Sequence, residues 1–127
     1  MILNDGDEIL IQDPQWLNYV AQVQYCGGVP VRVPTKAEDR FAMQPDVIES
    51  LITPRTKAIM VNSPNNPTGW TLRRALLEKI LDAASELGAR VFLDECFLDF
   101  TDGKSAKELL SRYENLLILK AFTKNYA

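Results

Sequence analysis

Histidine is missing from this sequence altogether. Without it, neither a Ser-His-Asp or Cys-His triad nor a paired-histidine zinc motif can be assembled within the chain. Cysteine is scarce. Cys26 and Cys96 are the only two, lie far apart and form no Cys-x-x-Cys pair, so metal-ligand spacing is absent and two reduced, packed thiols are expected. Long runs of one character are lacking as well. The 14 basic and 17 acidic residues sum to a formal charge of -3 and gather into no block, which argues against a nucleic-acid surface or a polybasic membrane surface. No apolar stretch is long enough to span a bilayer, and the start, Met1 to Glu8, has no basic segment followed by an apolar one. A secretory signal is therefore not expected, and a cytoplasmic protein with small-molecule partners is.

What is present is an alternation of apolar runs. With 127 residues, 46% of them hydrophobic, one domain or part of one is expected. Glu8 to Gln12 reads as a buried strand stopped by Asp13-Pro14. The apolar positions Trp16, Leu17, Val20, Val23 and Tyr25 then suit a helix ended by Gly27-Gly28. Val29 to Pro34 alternates like a strand whose prolines put it at a sheet margin. Asp46 to Ile52 predicts a short helix closed by Thr53-Pro54. Thr56 to Val61 predicts a buried strand running into the irregular Asn62-Ser63-Pro64-Asn65-Asn66-Pro67-Thr68-Gly69. Thr71 is placed to cap a helix whose stripe is Leu72, Leu76, Ile80, Ala83, Ala84 and Leu87, ended by Gly88. Ala89 to Leu93 predicts a further buried strand, Ser105 to Tyr113 a last helix, and Asn115 to Leu119 a last strand. Strands alternating with helices predict an α/β domain in three layers, α/β/α, with a largely parallel sheet.

In such sheets ligands gather at the carboxyl ends of the strands. Three polar residues stand there: Asn66, Asp94 and Lys124. A lysine at the end of a buried strand can lose solvent around its ammonium and become a usable amine nucleophile, which makes Lys124 the candidate for a covalent role. A carboxylate and an amide beside it are the residue types a pyridoxal phosphate (PLP) site needs: one to keep a pyridine nitrogen protonated, one to donate to the ring oxygen. An aromatic face over the ring would complete the cradle.

The motifs Asp13-Pro14-Gln15-Trp16-Leu17-Asn18-Tyr19, Gly27-Gly28-Val29-Pro30-Val31, Thr53-Pro54-Arg55-Thr56-Lys57-Ala58-Ile59 and Asn65-Asn66-Pro67-Thr68-Gly69 resemble the class I/II aminotransferases of PLP fold type I. The later segments, Asp94 to Phe100 and Asn115 to Lys124, are similar to the branch of threonine-phosphate decarboxylase and histidinol-phosphate aminotransferase. Carried over position by position, the resemblance implies Lys124 as the Schiff-base lysine, Asp94 as partner of the pyridine nitrogen, Asn66 as donor to the ring hydroxyl and Trp16 as the stacking aromatic. Asn125 and Tyr126 receive no role. At the position of Phe97 many members carry a tyrosine that shares the ring hydroxyl, so Asn66 would act alone here. At Ala121 many carry a phosphate-binding serine, which leaves Thr123 to contribute.

The resemblance implies that residues 1–127 are a partial large domain of the aspartate aminotransferase-like fold. The family's chain continues past the lysine into arginines for the phosphate and the substrate carboxylate, and its phosphate loop precedes the part seen here. It further implies amino acid and 2-oxo acid substrates and a homodimeric parent. Three functional readings stand at this point: transamination, decarboxylation of the threonine-phosphate decarboxylase type, and an isolated fragment without turnover.

Overall fold

Five short apolar runs become five parallel strands. The computed structural model describes residues 3–124; Met1, Ile2, Asn125, Tyr126 and Ala127 lie outside them. The strands are β1 (Glu8–Asp13), β2 (Val29–Pro34), β3 (Thr56–Asn62), β4 (Arg90–Asp94) and β5 (Leu116–Leu119), in the order β2-β1-β3-β4-β5 with every neighbouring pair parallel. Proline-flanked β2 is at one edge, as its missing N–H donors require. The central strands are buried on both faces, so Ile9, Leu10, Ile11, Ala58, Ile59 and Val61 form near-continuous apolar runs.

Three α-helices make the crossovers: α1 (Asn18–Tyr25), α2 (Pro45–Leu51) and α3 (Arg74–Glu86). One sheet face packs against α2, α3 and the turn at Ala106–Ser111 in a core that includes Leu10, Ile48, Val61, Leu77, Leu81, Val91 and Leu109. The opposite face packs against α1 through Ile9, Ile11, Ala58, Tyr19 and Val23. This is the expected three-layer arrangement, and no helix among the described residues is long and apolar enough to cross a membrane.

The helices differ from their sequence reading in which side they bury. α1 begins only at Asn18, because Asp13-Pro14 and the loop residues Gln15 to Leu17 carry the chain off the sheet first. Leu17 is 81% and Tyr25 93% exposed, and Tyr19 and Val23 are the buried pair. In α3 the buried set is Leu77, Ile80, Leu81 and Ala84, while Ala83 and Leu87 face out. Thr71 is not the cap: α3 starts after Arg73, and Ser63 Oγ instead accepts the Leu72 N–H. Gly88 ends α3 with φ +64°, a conformation other side chains rarely adopt. The last predicted helix is a 3-10 segment, Ala106–Ser111, that buries Ala106 and Leu109 and leaves Leu110 out. Its start is fixed from the sheet, since buried Glu95 accepts from the Ser105 hydroxyl and the Ala106 N–H, both at 2.7 Å.

Candidate functional site

Register brings the carboxyl ends of the three strands β3, β4 and β5 level. Asn62 lies opposite Asp94, and Asp94 opposite Leu119. Alternation along each strand puts Asn62 and Asp94 on the face of Ala58, Met60 and Phe92, the one α1 covers. The loop after β1 arrives on the same edge with Trp16.

Asp94 is the centre of this edge. It is 7% exposed. The Tyr19 hydroxyl donates to its Oδ2 at 2.5 Å and the Cys96 N–H to its Oδ1 at 2.8 Å. No ion pair among the described residues involves Asp94. A buried carboxylate is thus compensated by neutral donors, and both oxygens keep acceptor capacity. Burial first, and then the bond to Asp94, push the Tyr19 phenol far above its ordinary range. Burial and the Asp94 carboxylate likewise push the Cys96 thiol up to about 12, with Lys124 and Lys120 pulling weakly the other way.

Trp16 connects to this centre through Tyr19: the two rings meet edge to face with centroids 5.3 Å apart. At 38% exposure Trp16 keeps part of its surface open, as a stacking aromatic would. Asn66 connects from the other side. Its N–H donates to Asn62 Oδ1 at 2.7 Å, and Asn62 Nδ2 donates to the Asp94 main-chain oxygen at 3.1 Å. The Asn66 side-chain amide itself forms no hydrogen bond among the described residues. The loop beyond is held by Asn65, whose Oδ1 accepts from both the N–H and the hydroxyl of Thr68.

Lys124 comes from the far side of the edge, in the short 3-10 turn Phe122–Lys124 after β5. Its Nζ sits 5.6 Å from the Phe97 ring centroid and is in no ion pair among the described residues. It is exposed, so β5 delivers the lysine without stripping water from it. Lys120 is occupied differently, reaching Asp99 at 3.2 Å and Glu95 at 3.7 Å.

Trp16, Asn66 and Asp94 are therefore joined in one contact network, and Lys124 stands on the same edge over Phe97. Sequence reasoning assigned no role to Tyr19, Asn62 or Cys96. The signal for Tyr19 was its three-residue spacing from Trp16; for Asn62 it was a polar residue closing an apolar strand. The set fits the ring of pyridoxal phosphate: an open aromatic face, an amide without a hydrogen bond and an amine without an ion pair among the described residues, and a carboxylate whose neutral partners leave a cationic N–H as its natural complement. The phosphate end is less furnished. Ala121 has no donor, Thr123 is exposed and Lys120 is engaged elsewhere. Among the described residues no cluster of three or more cysteine, aspartate or glutamate side chains could hold a metal ion.

Comparison with known proteins agrees with this arrangement. The sequence model of the family described as "Aminotransferase class I and II" matches residues 1–127. The chain is similar to a probable aspartate/prephenate aminotransferase of Aquifex aeolicus, 38% identical over 99% of this chain and 33% of the relative. It is also similar to aromatic-amino-acid aminotransferase 2 of Thermococcus litoralis, 37% identical over 98% and 33%. Among solved structures, aspartate aminotransferase from Thermus thermophilus with maleate superposes with a TM-score of 0.88 at 35% identity, covering 95% of this chain and 32% of that one. The chain spans about a third of the length of the relatives it matches.

Proposed function

Because the chain belongs to the class I and II aminotransferases, a family of PLP-dependent enzymes, we propose that residues 1–127 are the part of a large domain that holds the cofactor ring. The protein carrying them would transfer an amino group from an amino acid to a 2-oxo acid and work as a cytoplasmic homodimer. What supports the reading most is Asp94, a buried carboxylate with no ion pair among the described residues, at the strand edge where ligands bind.

When bound, the cofactor supplies an electron-withdrawing ring that stabilises charge at the substrate α-carbon. Asp94 would keep the ring nitrogen protonated, Asn66 would donate from its amide to the ring oxygen, and Trp16 would offer its face to the ring. Lys124 Nζ is the amine that would hold the cofactor and could accept a proton from the substrate α-carbon. Phe97 offers the lysine a ring face and no hydroxyl, so Asn66 is the one donor of the pair at the ring oxygen.

The test is an absorbance titration of the purified chain with PLP, before and after borohydride reduction, with peptide mapping of the product. Label on Lys124 that vanishes in Lys124→Ala supports the reading. Diffuse labelling of surface lysines, unchanged in the variant, overturns it for this chain. In the full-length protein, aspartate and aromatic amino acids are the donors to assay and prephenate an acceptor, following the names of the relatives. Formation of 2-oxo acid without carbon dioxide supports transamination, and release of carbon dioxide supports the decarboxylase reading.

A further inference from the structure

Between the loop after β2, the start of α2 and the first turns of α3 lies a cavity of about 590 Å³. None of Trp16, Asn66, Asp94 and Lys124 lines it, so it is separate from the site described above. Its lining brings together Arg40 from the loop and Arg73 and Lys79 from the helix side, with Asp39 as the acidic residue beside them. No ion pair among the described residues engages any of the three cations. In a chain of formal charge -3 this gathering is against the average. Like charges held near one another repel, and an anion placed among them turns that repulsion into attraction.

The walls are braced before anything binds. Buried Gln12, near the end of β1, donates through Nε2 to the Phe41 main-chain oxygen at 3.2 Å and accepts at Oε1 from Asn65 Nδ2 at 3.4 Å. The Asn65 N–H in turn donates to the Trp70 main-chain oxygen at 2.8 Å. The loop that carries Arg40 and the segment that carries Trp70 are thereby tied to one strand end. Within the loop, Arg40 and Phe41 hold φ of +54° and +58°, a backbone that residues other than glycine rarely adopt, and the Phe41 N–H is fixed to the Lys36 oxygen at 2.8 Å. Walls fixed in advance lose little freedom when the cavity fills.

We infer that this cavity binds a phosphate monoester with an apolar or aromatic remainder. Guanidinium forks match phosphate oxygens two at a time and a lysine adds a point charge, so Arg40, Arg73 and Lys79 suit a group bearing close to two negative charges. The Thr71 hydroxyl and the Gln44 amide in the same lining are neutral donors for the remaining oxygen. Half-buried Trp70 gives the rest of the molecule an aromatic wall. The volume favours an ester over the bare ion, which would leave most of the cavity to water. Because the three cations are exposed, their attraction is screened and depends on salt.

The experiment uses the full-length protein, saturated with PLP and then freed of excess, because the cofactor is itself a phosphate monoester. Isothermal titration calorimetry in a buffer free of phosphate and sulfate compares phenyl phosphate, inorganic phosphate and phenyl sulfate, the last a singly charged analogue of similar shape. Phenyl phosphate is expected to bind about 10-fold more tightly than either of the others, and to weaken as salt is added. Arg40→Gln and Arg73→Gln should each weaken it about 10-fold, the scale of one lost hydrogen bond to a charged group. Arg74→Gln should leave it unchanged, since that arginine pairs with Glu78 and Glu108 outside this lining. All three arginines are exposed, so the variants keep the fold. Wild-type protein that takes up no phenyl phosphate at millimolar concentration overturns the inference. So does wild-type affinity in the double variant Arg40→Gln with Arg73→Gln, and so does an equal loss in Arg74→Gln, which would mark net charge in place of a site. Equal affinity for inorganic phosphate overturns the assignment of an ester. None of these outcomes bears on the cofactor reading, which is tested at Lys124.

Discussion

The side-chain amide of Asn62 donates to the main-chain oxygen of Asp94 at 3.1 Å, while its own oxygen accepts the N–H of Asn66 at 2.7 Å. One side chain at the end of β3 thereby ties the end of β4 to the Asn-Pro-Thr-Gly loop. Asn62→Ala leaves the Asn66 N–H without that acceptor, and about 1–3 kcal/mol of stability should be lost. Asn62→Asp keeps the acceptor but sets a second carboxylate beside Asp94, so its loss should be larger. Urea unfolding checks both: a lowered midpoint at unchanged slope, in the order wild type, Ala, Asp.

At the opposite end of the sheet, Glu8 is buried at the start of β1. Its Oε2 accepts from the Thr53 hydroxyl and its Oε1 from the Arg55 guanidinium. The Thr53 bond, opposed by desolvation and joined by Arg55, lowers the carboxyl below its ordinary 4.5. The unfolded chain therefore binds the proton first as pH falls. Stability from this cluster is complete above the unfolded value and lost as pH drops through the lower folded value. Glu8→Gln should flatten the acid limb of unfolding free energy measured from about pH 6 to about pH 3. A limb as steep as wild type would remove Glu8 from the account.

Helix α3 offers a test of which leucines carry the core. Leu81 is fully buried against the sheet, and Leu87 is 48% exposed at the end of the helix. Leu81→Ala should cost about 2–5 kcal/mol through lost burial and a cavity, and Leu87→Ala about 0.5 kcal/mol or less. Thermal or urea denaturation of the two variants decides it. Equal losses would mean that the stripe faces the sheet as a helical period beginning at Leu72 places it.

That contrast marks where the sequence was readable. Strand positions were legible because buried parallel strands are continuous apolar runs between turn residues, and Gly88 marked the end of α3 for a backbone reason. Buried sides of helices were less so. Leu72, Leu76 and Leu87 satisfy a helical period, but α3 begins two residues after Leu72, and which leucines meet the sheet depends on how the Asn62 to Gly69 loop delivers the chain. Of the site, Asn66, Asp94 and Lys124 could be placed from strand ends alone. Tyr19 and Asn62 left only a spacing and a strand-end position as local signals, and what each does depends on a partner more than 30 residues away in sequence.

The two thiols should react very differently. Cys26 is exposed at the end of α1, whereas Cys96 is half-buried beside Asp94. Burial is the larger cause that raises the Cys96 thiol to about 12, and the Asp94 carboxylate is the next. The reactive species is the thiolate, so at mildly alkaline pH Cys96 should be almost inert. Iodoacetamide followed by peptide mapping should label Cys26 first and Cys96 slowly. Asp94→Asn removes the negative charge and leaves the burial, so it should lower the Cys96 pKa and speed its labelling. Labelling of Cys96 unchanged in that variant would mean that burial alone protects the thiol and that the carboxylate exerts no field there.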